Sequence, residues 1–257
     1  MTNLFDLTGR VALISGASRG IGEEAALLLA GQGAHVIVSS RKPEGCEPVA
    51  EKITAAGGKA SVVACHVGNP ESIDALIDSL KAEHDKLDIL VNNAAANPYF
   101  GHILDTPLDA LQKTIDVNLR GYFYMSQKVG QWMRETGGGV MVNTASINGV
   151  NPGMAQGIYS VTKGAIINMT KAFAKECAPQ KIRVNAVLPG LTDTKFASAL
   201  TQNDQIMQSI APKIPMGRAA DPSEIAPAIL YLASDASSYM TGSCVTVDGG
   251  FLVGGGL

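Results

Sequence analysis

The chain has 257 residues, 46% of them hydrophobic and 17% charged, with a formal net charge of −3. That balance supports a large buried core and excludes an intrinsically disordered chain. It carries no basic block, which argues against nucleic acid as the main partner.

Short β-branched runs alternate along the chain with longer helical patterns. Strands are predicted at 11–15, 35–39, 60–65, 89–91, 139–143, 182–188 and 244–247. Helices are predicted between them at about 20–32, 48–56, 71–83, 108–117, 119–134, 158–178 and 222–234. Most strand runs are continuously apolar rather than alternating, as parallel strands covered on both faces require. The pattern predicts an α/β fold: one doubly wound, Rossmann-like domain over 1–257, a parallel sheet of about seven strands with helices on both faces. The stretch at about 191–220 interrupts the alternation and is expected to be an insertion over the edge of the sheet that closes on a substrate.

The first strand runs directly into Gly16-Ala-Ser18-Arg19-Gly20-Ile21-Gly22 and then a helix. Glycines at these places allow a tight turn and a close approach of backbone. The helix start offers free N–H groups to a pyrophosphate. A loop built only for packing would carry the same glycines, and its place after the first strand favours the nucleotide. The second strand ends in Ser40-Arg41-Lys42 with no carboxylate to hold a ribose 2′-hydroxyl, and Arg19 stands in the glycine loop. A guanidinium binds a 2′-phosphate in a bidentate fork, so NADP(H) is the expected cofactor. Solvated surface cations are the alternative.

Tyr159 and Lys163 are four residues apart in a helical run, on one face and one turn apart. A phenol titrates near ~10, and a neighbouring positive charge lowers that value. The pair therefore fits a proton donor and acceptor, with Ser146 upstream to assist, although an exposed ion-pairing face has the same spacing. The four cysteines, Cys46, Cys65, Cys177 and Cys244, have no paired spacing and read as reduced thiols of a cytoplasmic protein. The four histidines have no ligand spacing, so no metal is expected. Neither a signal peptide nor a membrane span is expected.

Taken together, these motifs resemble the short-chain dehydrogenase/reductase family over essentially the whole length. The matching residues are Gly16, Gly20 and Gly22; Asn92-Asn93-Ala94-Ala95; Asn118; Ser146; Tyr159 with Lys163; and Pro189-Gly190 followed by Thr194. The resemblance implies hydride transfer between a nicotinamide cofactor and a carbonyl or alcohol, in a homo-oligomer that is most often a tetramer. It implies that Tyr159 is the proton donor or acceptor and that Ser146 binds the substrate oxygen. Lys163 would lower the Tyr159 pKa and hold the nicotinamide ribose, and Asn118 would orient a water behind it. Pro189, Gly190, Thr192 and Thr194 would lie along the nicotinamide, and Asn93 and Ala94 near the adenosine ribose.

Two departures stand out. Ala95 replaces the family's glycine. Cys65-His66-Val67 has no acidic residue for the adenine, leaving the His66 ring and the Val67 backbone as the contacts. Substrate walls are expected from Asn97, Asn148, Met154 and Phe196, in a lining without a cationic anchor. The chain most resembles NADPH-dependent carbonyl reductases and 3-oxoacyl carrier-protein reductases. The expected reaction is reduction of a small neutral ketone or aldehyde. The alternatives are an NAD-linked secondary alcohol dehydrogenase and, from another class, a catalytically silent dinucleotide-binding regulator.

Overall fold

Successive side chains of a strand point to opposite faces, so a run that is apolar at every position must be covered on both. The computed structural model, which describes residues 3–254, shows this arrangement. Its strands are β1 (Val11–Ser15), β2 (His35–Ser40), β3 (Lys59–Ala64), β4 (Ile89–Asn92), β5 (Gly139–Thr144), β6 (Ile182–Pro189) and β7 (Cys244–Val247). They form one sheet of order β3-β2-β1-β4-β5-β6-β7 in which every pairing is parallel. Ala12, Ile14, Val36, Val38, Val91 and Val142 enter one core, under α1 (Ile21–Gly31), α2 (Glu47–Ala55) and α9 (Pro222–Ala233). Leu13, Ile37, Leu90 and Met141 enter the opposite core, with α3 (Pro70–Glu83), α5 (Gly121–Glu135) and α6 (Gly157–Cys177). The expected seven parallel strands and both helical layers are present.

The strand order reverses at β1, which has β2 on one side and β4 on the other. The glycine loop after β1 and the Asn92–Ala94 turn after β4 therefore diverge over one crevice, where open α/β sheets bind their ligands. Several strand ends are polar and buried, and they are joined by hydrogen bonds. Asn92 Nδ2 donates to Asn143 Oδ1 and Ser126 Oγ, each at 3.0 Å, and Asn143 Nδ2 donates to Thr170 Oγ1 at 3.0 Å. This chain ties β4 and β5 to α5 and α6 beneath the crevice.

Two expectations change. The helices expected at 108–117 and 119–134 are one continuous rod. It consists of α4 (Leu108–Ile115), a π-helical turn (Asp116–Arg120) and α5, and the Gly121 N–H bonds back to the Asp116 carbonyl. The wider turn absorbs the residue that the sequence suggested was a break. The rod then passes so close to the turn after β3 that a side chain at Gly121 would overlap the Val67 carbonyl oxygen. Second, the third strand is shifted, so that Cys65 lies in the turn beyond it.

The 191–220 segment carries α7 (Ser198–Thr201) and α8 (Asp204–Ile210). Its base is closed by backbone bonds: Asp193 N–H to Ala220 O at 2.8 Å and Ala220 N–H to Leu191 O at 2.9 Å. Immediately after it Asp221 and Glu224 form a capping box that starts α9. After β7 the chain ends in a short turn, α10 (Phe251–Gly254), and the last three residues of the apolar tail noted in the sequence lie outside the described residues. Among the described residues no helix is long and apolar enough to cross a membrane, and no group of three or more His, Cys, Asp or Glu could hold a metal ion.

Candidate active site

The glycine loop is fixed from below by the β4 turn. Ser15 Oγ accepts the N–H groups of Asn93 and Ala94, at 3.0 and 3.2 Å, and Asn93 Nδ2 donates to the carbonyls of Ser15 and Gly16. Gly16 has φ 67°, and a Cβ there would stand 2.7 Å from Ala94 Cα. A Cβ on Gly22 would overlap the Gly16 carbonyl oxygen and lie 2.5 Å from Asn93 Nδ2. Both positions thus require glycine, the first for its conformation and the second for close approach. Gly20 caps α1 without any side-chain hydrogen bond, leaving the first N–H groups of that helix for a ligand. Ile21 packs on the core, while Ser18 faces the 43–45 turn. The cradle fits a dinucleotide phosphate by this geometry alone.

Arg19 in the loop and Arg41 and Lys42 just beyond β2 are exposed. The Ala17 N–H bonds to the Ser39 carbonyl, so the end of β2 lies alongside the loop. Among the described residues none of the three cations forms an ion pair. Ser40 Oγ donates to the Lys42 carbonyl and accepts from the Cys46 thiol. His66 is exposed, with Nδ1 accepting the Gly68 N–H at 3.2 Å, whereas Val67 is buried.

At the other end of the crevice three polar side chains singled out in the sequence are buried: Ser146, Tyr159 and Lys163 are 9%, 8% and 1% exposed. Ser146 Oγ accepts the Asn148 N–H at 3.1 Å, so its own hydrogen is left to donate. Lys163 Nζ donates to the Thr144 carbonyl at 2.7 Å and lies 5.5 Å from the centre of the Tyr159 ring. Burial pushes the Tyr159 phenol up to about 12, with the Ser146 hydroxyl acting in the opposite direction. Burial pulls Lys163 down to about 7. Desolvation is the leading cause for both groups, and the ammonium is directed at a carbonyl.

Asn118, at the centre of the π-helical turn, has a fully engaged side chain. Its Oδ1 accepts the Ala96 N–H at 2.7 Å, and its Nδ2 donates to the Ala96 carbonyl at 2.9 Å and to Thr162 Oγ1 at 3.2 Å. It therefore clamps the loop after β4 to the residue beside Lys163. Thr192 is buried with its hydroxyl on the Gly190 carbonyl, and Asp248 packs where a side chain on Gly190 would go. Pro189 pairs with Val247 of β7. Thr194 caps the following turn through the Ala197 N–H and stands over Gly20.

Of the expected substrate walls, Phe196 reaches Tyr159, with ring centres 5.9 Å apart. Asn97 Nδ2 makes a long bond of 3.5 Å to Gln156 Oε1, and its Oδ1 is buried without a partner. The Asn148 amide lies against Gly153, between Ser146 and Tyr159 in the chain. Met154 is 90% exposed and stands outside this cluster. Sequence reasoning did not single out Tyr122, Thr144, Thr162 or Gln156. Thr144 acts through its backbone carbonyl and Thr162 through a hydroxyl, and neither use has a sequence signature.

A family model described as enoyl-(acyl carrier protein) reductase matches residues 16–252. Dehydrogenase/reductase SDR family member 4 from Homo sapiens is 36% identical over 97% of this chain and 90% of its own length. Tropinone reductase-like 3 from Erythroxylum coca is 37% identical over 94% and 93%. Among solved structures, a short-chain type dehydrogenase/reductase from Mycobacterium marinum has 40% identity and a TM-score of 0.93, covering 97% of this chain and 98% of that one. A gluconate 5-dehydrogenase from Burkholderia cenocepacia J2315 in complex with NADP and tartrate has 31% identity and a TM-score of 0.93, with 97% of each chain covered. The chain thus belongs to the short-chain dehydrogenase/reductase family and is an oxidoreductase of the NAD(P)-dependent kind that interconverts carbonyls and alcohols.

Proposed function

We propose that the chain is an NADP(H)-dependent carbonyl reductase acting on a small neutral ketone or aldehyde, with Tyr159 as its proton donor. The observation that carries the reading is the buried cluster of Tyr159, Ser146 and Lys163 at the open end of the crevice that begins at the glycine loop. When bound, the nicotinamide supplies the hydride. Tyr159 keeps its proton at neutral pH, since burial raises its pKa, and delivers it to the substrate oxygen as charge builds there. The free hydrogen of Ser146 donates to the same oxygen and stabilises that charge. Lys163, poised near neutrality, holds the nicotinamide ribose and returns a proton toward Tyr159, with a water at the Asn118 turn behind it.

The preference for NADP(H) rests on Arg19, Arg41 and Lys42, three cations in the glycine loop and beyond β2 that have no carboxylate partner among the described residues. Gly16, Gly20 and Gly22 hold the pyrophosphate; Pro189, Gly190, Thr192 and Thr194 hold the nicotinamide; Asn93, Ala94, His66 and Val67 lie toward the adenosine. A neutral substrate rests on walls expected from the Asn97 and Asn148 amides and on the Phe196 ring, which lies against Tyr159. Four free cysteines suit a cytoplasmic location. The exposed apolar side chains Leu108, Phe123 and Val161, on α4, α5 and α6, suit assembly into a homotetramer.

Tyr159→Phe is expected to remove nearly all turnover while NADPH binding, followed by fluorescence titration, is retained. The wild-type KM for NADPH is expected to lie at least about tenfold below that for NADH, a difference of ~1.4 kcal/mol that Arg41→Ala narrows. Undiminished turnover in the first variant, or equal use of NADH, would overturn the corresponding half of the reading.

A further inference from the structure

Lys163 is an ammonium on a side chain that is 1% exposed, and among the described residues no carboxylate acts on it: burial alone moves its pKa. A buried cation needs compensation from the groups that face it. From its own helix the Tyr159 ring lies 5.5 Å away, and from β5 the Thr144 carbonyl accepts at 2.7 Å. From the first turn of α5 comes Tyr122, which is 1% exposed. Its ring centre also lies 5.5 Å from Lys163 Nζ, and its hydroxyl donates to the same Thr144 carbonyl at 3.3 Å. Tyr122 and Tyr159 are the titratable groups that face the ammonium, and burial pushes the Tyr122 phenol well above its usual value, so it stays neutral.

We propose that Tyr122 is a positioning residue for the reaction: its ring face supports the Lys163 ammonium while its hydroxyl fixes the carbonyl to which that ammonium is bonded. The two contacts act on different partners and converge on one atom. The ring offers its negative face to the cation within the ~6 Å over which such attraction operates, in a site from which water is excluded. The hydroxyl occupies the second lone pair of the Thr144 carbonyl, which limits the directions from which Lys163 can reach it. Tyr122 shares its core cluster with Ile166, Met169 and Leu188, so replacing the ring by an aliphatic side chain leaves apolar atoms where the ring face supported the charge. Tyr122 thereby keeps Lys163 cationic and aligned, and through Lys163 it acts on Tyr159. The last step rests on the roles given to Lys163 and Tyr159 under Proposed function.

The test reads Lys163 directly, from the ε-methylene resonance of isotope-labelled lysine in the full chain, assigned by its loss in K163M. The wild-type titration midpoint is expected at about 7. In Y122F, which keeps the ring, it stays within about half a pH unit. In Y122L it falls by about one pH unit, the scale of a desolvated cation–π contact. If Y122L does not fold, a series of fluorinated phenylalanines at position 122 withdraws charge from the ring face at nearly constant shape, and the midpoint falls with each fluorine. A midpoint in folded Y122L, or across the fluorinated series, that equals the wild-type value or exceeds it overturns the proposal, because a residue that only fills space would leave the titration unmoved. The pH profile of kcat/KM for alcohol oxidation is measured alongside, and its ascending limb, governed by neutral Lys163 taking up the proton that Tyr159 passes on, moves to lower pH in Y122L together with the lysine midpoint. A lysine midpoint that moves while this limb stays fixed sinks the coupling of Lys163 to Tyr159 and leaves the hold of Tyr122 on the ammonium standing.

Discussion

Lys163→Met tests the electrostatics of the site without recourse to turnover. The ammonium is buried, and its pKa falls from 10.5 to about 7. Between these values the unfolded chain binds a proton that the native protein does not, so wild-type stability rises with pH through that interval. At ~1.4 kcal/mol per pH unit, the rise from pH 7 to pH 9.5 is about 3 kcal/mol. Tyr159 acts in the opposite sense at higher pH. It keeps its proton up to about 12, whereas the unfolded phenol loses it near 10, so stability falls with pH from 10 to 12. The thiols of Cys46, Cys65, Cys177 and Cys244 are also pushed up by burial and lower stability above pH 9.

These other groups are common to wild type and variant and cancel from the difference between them. Methionine fills similar volume with an unbranched side chain and carries no charge, at the loss of one hydrogen bond worth about 1 kcal/mol. Urea unfolding of both proteins, without added nucleotide, from pH 7 to 9.5 is the measurement. The wild type is expected to gain about 3 kcal/mol on the variant across that range. Parallel pH dependences would mean that Lys163 stays fully protonated in the native protein, and the account of its burial would fail.

Gly22→Ala drives a methyl group into the Gly16 carbonyl and Asn93 Nδ2. It should cost about 2 kcal/mol of stability as the loop and the β4 turn separate, and it should raise the KM for the nicotinamide nucleotide about tenfold, both checked by thermal unfolding and steady-state kinetics. Arg183 in β6 donates to the carbonyls of Leu232, Ser234 and Met240 and to Ser237 Oγ, closing the end of α9. Arg183→Met should therefore cost about 3 kcal/mol and lower the Tm by about 10 °C with little change in KM, and a change below about 1 °C would refute the clamp.

The parts legible in the sequence were those that physical periodicity or conformational need imposes. A central strand of a parallel sheet has to be apolar on both faces, and the 11–15, 35–39 and 89–91 runs show it directly. Gly16 and Gly22 have to be glycine because the β4 turn approaches them closely. The π-helical turn was not legible: one extra residue at Asn118 leaves the apolar pattern on either side intact, so 108–117 and 119–134 read as two helices. The surroundings of Tyr159 were not legible for a related reason. The spacing to Lys163 shows proximity, but only the fold shows that both groups are desolvated and that Lys163 is bonded to the Thr144 carbonyl. Tyr122 reads as an ordinary core aromatic on α5, because what distinguishes it is a cation contributed by another helix.

The 191–220 segment joins the two halves of the site. Its base is pinned by the bonds among Leu191, Asp193 and Ala220, so displacement of α7 and α8 has to be absorbed just inside that closure. Two side chains stand there: Thr194, over Gly20 at the phosphate cradle, and Phe196, against the Tyr159 ring. They are two residues apart in the chain, too close to move independently. A shift that brings Phe196 onto a substrate at Tyr159 therefore also moves Thr194 relative to the glycine loop. In the proposed function, cofactor and substrate contacts would be coupled through this short stretch of backbone, by the spacing of Thr194 and Phe196 above a pinned base.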